Sequence, residues 1–394
     1  MTSHSFFATC PRGLEPVLAR EVEACGGRAA RPAGGGVHFE GVLATCYRAN
    51  LHSRIASRIL WRVAEAPYAN EHDVYEAALR VPWPERFPVD RTIRVDVSAI
   101  HSPLKSLDFI TLRVKDAVCD RFRADTGGRP DVETRAPDVR IHAFLDARSV
   151  TLYLDTSGEP LWKRGWRGGT GEAPIRENLA AGIIALADWQ PGEPFLDPMC
   201  GSGTFLLEAA ALALRIAPGA RRTFGFEKLA GFEADLWQRL RDEARAAEQP
   251  RAPLPIHGSD CSGAELANAR AAIEGAGLAG VIRLEQADVL ERSPPASNGV
   301  LVANPPYGVR VGEATALEAF YPKLGDALKA RFAGWRCYLF TADAARLAKR
   351  IGLKASKRIP LYNGPLECRL LEYRIVAGTM RRKGPAPAQQ DSAG

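Results

Sequence analysis

Metal-ligand and disulfide spacings are missing from this chain of 394 residues. Its cysteines, Cys10, Cys25, Cys46, Cys119, Cys200, Cys261, Cys337 and Cys368, are scattered with no Cys-x-x-Cys pair. That pattern argues against structural zinc and against a disulfide framework, and for free thiols in a reducing compartment. His38, His101 and His142 have no clustered cysteine or acid at ligand spacing and read as core or surface residues, so no metal is expected. No apolar run approaches the roughly 20 residues of a membrane span, and no signal-peptide pattern precedes Phe6. A cytoplasmic protein without membrane contact is expected. Phosphate loops are also missing. There is no Gly-x-x-x-x-Gly-Lys-Ser/Thr string, and the glycine turn at Gly201 lacks the third glycine of the dinucleotide fingerprint, which disfavours a triphosphate and a pyrophosphate. A large excess of one charge is absent too: the net charge of +6 is weak evidence for nucleic acid by itself. Nothing indicates an obligate protein partner.

What is present is an ordinary globular composition, 46% hydrophobic and 25% charged, long enough for two or three domains. Phe195-Leu196-Asp197-Pro198-Met199-Cys200-Gly201-Ser202-Gly203-Thr204 reads as a strand, a glycine-rich turn and the start of an apolar helix over 205–216. Without Cβ atoms, Gly201 and Gly203 let the backbone turn sharply and approach a ligand, and the free N–H groups of the helix attract its polar atoms. S-adenosylmethionine, which has no phosphates, fits that turn. Asp260 ends the strand pattern Ile256-His257-Gly258-Ser259-Asp260 and is placed to accept both ribose hydroxyls. Asp288 ends the next strand, over 282–288, and is placed to accept from the adenine amino group. Either acid alone is equally compatible with a helix N-cap.

Asn304-Pro305-Pro306-Tyr307-Gly308 follows the apolar run Val300-Leu301-Val302-Ala303. The amino group of a purine is a poor nucleophile because its lone pair is delocalised, so an enzyme must align the nitrogen with the methyl donor and accept its hydrogens. Acceptors are needed rather than a strong base. The side-chain oxygen of Asn304 and the carbonyl of Pro305 are such acceptors, and Tyr307 offers a ring for the base to stack on. An ordinary strand-ending turn is the plain alternative, weakened by the glycine turn upstream.

At these motifs the region 172–376 resembles the class I S-adenosylmethionine-dependent methyltransferases, in the form that methylates amino groups. DNA, protein and RNA methyltransferases share that motif, so other residues must choose the substrate. The opening Phe6-Phe7-Ala8-Thr9-Cys10-Pro11-Arg12-Gly13-Leu14-Glu15 resembles the THUMP-containing RNA methyltransferases, particularly the bacterial enzymes that make N2-methylguanosine in 23S ribosomal RNA. Leu154-Asp155-Thr156-Ser157-Gly158, Lys163-Arg164-Gly165-Trp166-Arg167 and Ala173-Pro174-Ile175-Arg176-Glu177-Asn178 look like the junction signatures of that family. The resemblance implies cofactor-binding roles for Asp197, Pro198, Cys200, Gly201, Gly203, Thr204, Asp260, Asp288 and Asn304, and catalytic roles for Asn304, Pro305 and Tyr307. It implies RNA as partner, 23S rRNA or a ribosome-assembly intermediate, with transfer RNA the alternative. A DNA amino-methyltransferase and a catalytically vestigial assembly factor are further rivals. Some relatives fuse a second methyltransferase domain, for which the length here leaves no room.

Read without the family, the first 155 residues give two small α/β patterns: a helix over 14–25 and strands over 37–39 and 57–63, then a strand over 92–98, a helix carrying Ile110, Val114 and Phe122, and a closing strand pair. The expected fold is α/β: a ferredoxin-like unit (1–60), a THUMP unit (61–155), a linker (156–172), a Rossmann-like methyltransferase domain (173–379) whose mostly parallel sheet ends in an antiparallel hairpin, and a disordered tail (380–394). A polar helix around Leu236 and Leu240 reads as a surface excursion. Basic clusters at Arg48, Arg54, Arg58 and Arg62, at Arg121, Arg123 and Arg129, and at Lys163, Arg164, Arg167 and Arg176, with Trp162 and Trp166 interleaved, are the expected RNA grip.

Overall fold

A computed structural model describes residues 2–166, 175–306 and 313–376 of the chain. The expected disordered tail lies outside them. The first third supplies β1 (His4–Thr9), α1 (Glu15–Ala24), β2 (Arg28–Ala33), β3 (Gly36–Gly41), α2 (Leu43–His52), β4 (Arg58–Pro67), α3 (Glu71–Leu79), β5 (Ile93–Ala99), α4 (Leu107–Thr126), β6 (Val139–Leu145) and β7 (Ser149–Asp155). Alternation sets the strands. In β6, Val139, Ile141, Ala143 and Leu145 are buried and the residues between them are half-buried. Helix α4 has local stops as well as a stripe. The Ser106 hydroxyl accepts from Phe109 N at 3.3 Å, and Gly127 at φ +77° closes the far end.

The two sequence units share one sheet, in the order β2-β3-β1-β4-β7-β6-β5. Strand β4 fuses them: its first residues pair with β1 while its length pairs with β7, Leu60 opposite Asp155 through Pro67 opposite Ser149.

The remainder supplies α5 (Glu177–Leu186), β8 (Phe195–Asp197), α6 (Thr204–Ala213), α7 (Ala234–Ala246), β9 (Ile256–Asp260), α8 (Gly263–Gly275), β10 (Arg283–Gln286), β11 (Gly299–Ala303), α9 (Glu313–Arg331), β12 (Trp335–Thr341), α10 (Ala344–Arg350), β13 (Lys357–Asn363) and β14 (Leu366–Arg374). They form a second sheet in the order β10-β9-β8-β11-β12-β14-β13, parallel up to β12 and antiparallel in the closing pair. The order of connection across the sheet reverses between β8 and β11. A doubly wound sheet opens its crevice at such a point, outside the carboxyl ends of those strands.

One expectation fails here, because the domains are packed together. Helix α7 is no surface excursion, because Trp237, Leu240 and Ala244 are buried and Trp237 meets Tyr47 of α2 edge-on at 6.1 Å. Tyr47 in turn stacks on Phe226 at 4.3 Å. Residues 156–166, within the expected linker, are packed as well. Thr156 and Ser157 are buried, Asn50 donates to Thr156 Oγ1 at 2.9 Å, and Ser157 Oγ donates to Asn50 Oδ1 at 2.6 Å.

A buried ionic triad completes the junction. Glu208 on α6 accepts from Arg164 Nε at 3.1 Å and lies 3.5 Å from Arg54 Nη1. Arg54 also donates through Nη2 to the carbonyls of Ala211 (3.0 Å) and Ile216 (2.6 Å), at and beyond the end of α6. Burial pulls the Arg54 pKa down, against the charge of Glu208. Removing one member of a buried ionic group leaves the others unpaired, which typically costs about 3–5 kcal/mol. Glu208→Ala should therefore lower stability in urea unfolding by roughly 3–5 kcal/mol, and a loss below about 1 kcal/mol would show that water already solvates the triad.

Candidate active site

Strands β8 and β11 are neighbours, so the residues that leave their carboxyl ends stand side by side at the crevice. A cavity of about 1350 Å³ opens there, lined by Asp197, Pro198, Cys200, Gly201, Thr204, Asp260, Asp288, Asn304 and Pro305 among others. Most of the residues expected to bind a ligand are thus brought together. The glycine turn is held from below. Cys200 N donates to Ser259 O at 2.9 Å and Gly203 N to Cys200 O at 2.7 Å. Gly201 and Gly203 take φ of +48° and +77°, the left-handed region that side chains resist. A Cβ on Gly201 would meet only Glu265 Oε2, at 4.0 Å. Gly203 itself is the N-cap of α6 rather than a lining residue.

Three acids behave differently. Asp197 is buried and accepts from Met199 N at 3.2 Å; burial, and then the charge of Asp260, push its pKa up to about 8. Asp260 accepts from Gly201 N at 3.0 Å and Ser262 N at 2.9 Å, tying the glycine turn to β9. The helix-capping alternative for Asp260 falls away, because Ser262 caps α8 by accepting from Glu265 N. Asp288 is exposed on the cavity wall and makes a local turn, accepting from Leu290 N at 2.9 Å. Desolvation holds the Cys200 thiol far above its ordinary range, so it is a wall and not a nucleophile.

Asn304 carries the most telling atom. Its Oδ1 is buried without a hydrogen-bond partner among the described residues, a costly condition unless something arriving in the cavity donates to it. Tyr321, buried on α9, donates to Pro306 O at 3.3 Å and steadies the loop. Sequence reasoning missed Glu265 and Phe320, which line the cavity, and Tyr321 behind its loop; aromatic and acidic residues on helices give no local signal of such placement. Tyr307 and Gly308 lie outside the described residues. No group of three or more His, Cys, Asp or Glu among the described residues is placed to hold a metal ion.

The junction cluster needs correction. Arg164 is 2% exposed and donates to Glu208, Leu161 O and Arg54 O, so it is buried in the junction rather than presented to a phosphate. Trp166 is 5% exposed and lines the cavity, so it is no surface stacking face. Lys163 is exposed beside Glu159, and Arg167 lies outside the described residues. The other clusters are largely neutralised: Arg58 pairs with Asp155, Arg62 with Glu65, Arg121 with Asp125 and Arg123 with Asp120. Among the described residues, no helix is long and apolar enough to cross a membrane.

Comparison with known proteins agrees with this architecture. The ferredoxin-like domain described as "RlmL ferredoxin-like domain" matches residues 5–60, the "THUMP domain" matches 68–155, and the family described as "RMKL-like, methyltransferase domain" matches 164–372. The chain is 41% identical over 94% of its length to ribosomal RNA large subunit methyltransferase K/L of Aeromonas salmonicida, of which it covers 54%. It therefore spans about half the length of the curated relatives of that kind. A Synechocystis protein named as an RNA methyltransferase is 38% identical over 95% of the chain and 97% of its own length. The crystal structure of the methyltransferase SMU.472 complexed with SAH, 31% identical, superposes with a TM-score of 0.87 over 96% of this chain and 100% of that one. With a ferredoxin-like unit and a THUMP domain ahead of a doubly wound catalytic sheet, the chain belongs to the RMKL-like methyltransferase family.

Proposed function

We propose that this chain transfers the methyl group of S-adenosylmethionine to the exocyclic 2-amino group of a guanine in RNA, with 23S rRNA the favoured substrate. Asn304 Oδ1, buried without a partner among the described residues in the cavity that Asp197 also lines, is the observation that carries the reading. The related structure that holds SAH and the relatives named as ribosomal RNA methyltransferases support it.

The residues present fit the cofactor. Asp197 offers a buried carboxylate to its ammonium group, Asp260 an acceptor for the ribose, Asp288 one for the adenine amino group, and the turn at Gly201 leaves room for close approach. When bound, S-adenosylmethionine supplies an electrophilic methyl carbon. The protein does the rest by position. Asn304 Oδ1 and Pro305 O accept the hydrogens of the amine, which draws its lone pair toward the methyl group as the nitrogen becomes tetrahedral. Tyr307 is assigned to stack on the base. Outside the cavity, the THUMP domain, Lys163 and Arg167 serve the RNA. Guanine is favoured over adenine through the family resemblance.

Asn304→Ala separates chemistry from binding: transfer of labelled methyl to ribosomal RNA should fall about 100- to 1,000-fold, the usual loss for one polar transition-state contact, while calorimetric cofactor affinity stays within about threefold. Near-normal turnover would return Asn304 to the status of a turn residue.

The Asp197 carboxyl adds a pH dependence. Because burial raises its pKa to about 8, it is protonated in the free protein below that pH and must lose its proton to pair with an ammonium group. Cofactor affinity should climb as pH rises toward 8, by at most about tenfold per unit, and fall again once the ammonium group itself loses its proton. Calorimetry across that range reads the slope. Asp197→Asn should flatten the profile, and a flat profile in the unaltered protein would refute the pairing.

A further inference from the structure

A second, smaller pocket of about 180 Å³ lies on the same rim of the catalytic sheet. The ferredoxin-like unit contributes Cys10, Pro11, Arg12 and Ser57; the catalytic domain contributes Arg176 and the β13–β14 turn at Tyr362, Asn363 and Gly364. That turn projects from the carboxyl edge where the cavity opens. Thr341, the last residue of β12, pairs with Arg369, so the start of β14 extends beyond it. Strands β12 and β14 stand between β11 and β13. At ~4.8 Å per strand spacing the pocket is roughly 14 Å from the end of β11 that carries Asn304. Arg176 also directly follows Ile175, a wall of the large cavity.

The pocket is built rather than incidental. Gly13 at φ +93° presses against β13, where a Cβ would come within 2.4 Å of Pro360 O. The Glu15 carboxylate, the acid nearest Arg12 in sequence, is occupied by Gly13 N at 2.7 Å and Gly35 N at 3.0 Å. Among the described residues, no carboxylate lines the pocket. Each arginine instead rests on a ring: Arg12 is 5.2 Å from the centre of Tyr362 and Arg176 is 5.1 Å from that of Trp162. A stacked guanidinium is held in place by its face and keeps its edge donors, the arrangement that suits a phosphate.

We propose that Arg12 and Arg176 grip backbone phosphates of the RNA a few nucleotides from the target base, at a subsite built jointly by the ferredoxin-like unit and the catalytic domain. It rests on the RNA reading above. Its position explains why the amino-terminal loop is docked on β13: substrate grip and base alignment are then referred to one rigid edge.

The test is the salt dependence of binding of the full chain to a fluorescein-labelled single-stranded oligouridine, which offers phosphates and no guanine. R12Q/R176Q should reduce the slope of log affinity against log salt by about 0.7 for each phosphate no longer neutralised, and weaken binding on the order of fivefold or more at ~0.1 M salt. Cofactor affinity and melting temperature should not change. R12K/R176K, which keeps the charges, should retain most of the slope, and R12Q alone gives the same reading if the double variant unfolds. An unchanged slope in R12Q/R176Q would overturn this subsite while leaving the methyltransferase reading intact. An unaltered chain that neither binds oligouridine nor methylates RNA would overturn both.

Discussion

Glu208, buried between Arg54 and Arg164, is the group on which the rest of the arrangement depends. It sits one turn into α6, the helix that begins as the glycine turn ends, and both arginines belong to the segments that flank the first sheet. Desolvating three charges is costly, and the cost is offset only in one geometry, so the triad is a better device for specifying how the units dock than for adding stability. Arg54 extends the constraint to the carbonyls at the end of α6. The glycine turn on the cavity wall is in this way bolted to the amino-terminal unit.

From that fixed turn the chemistry follows by adjacency. Because β8 and β11 are neighbours at the reversal of the sheet, a ligand over Asp197 faces whatever enters beside Asn304. The two groups suit different tasks. Asp197 is a buried acid whose pKa burial raises, and Asn304 presents a buried acceptor without a partner among the described residues. Neither condition serves stability in the free protein. Strain and unmet hydrogen bonds of this sort are expected where a fold gives up local optimisation for function.

Much of this was legible in the sequence where a local rule suffices. Glycines after a strand, alternation in β6 and the stripe of α4 each carry their own signal, and so do the acids that end β9 and follow β10. Tertiary context was not legible. Arg164 and Trp166 read as an RNA-facing pair because basic and aromatic residues alternate there, yet one neutralises Glu208 and the other lines the cavity. Helix α7 looked solvated because its polar residues outnumber its apolar ones; its few apolar residues, Trp237 foremost, meet the aromatic cluster around Tyr47. Strand β2 was missed because it is an edge strand whose residues are mostly exposed, without apolar alternation.

The proposal stands or falls on whether a guanine amine accepts the methyl group. Mass spectrometry of nucleosides from ribosomal RNA of a strain lacking the gene tests it most directly. N2-methylguanosine should fall in 23S rRNA and return when the gene is restored, with transfer RNA unchanged. An undiminished level of N2-methylguanosine in 23S rRNA, with another methylated nucleoside lost instead, would contradict it.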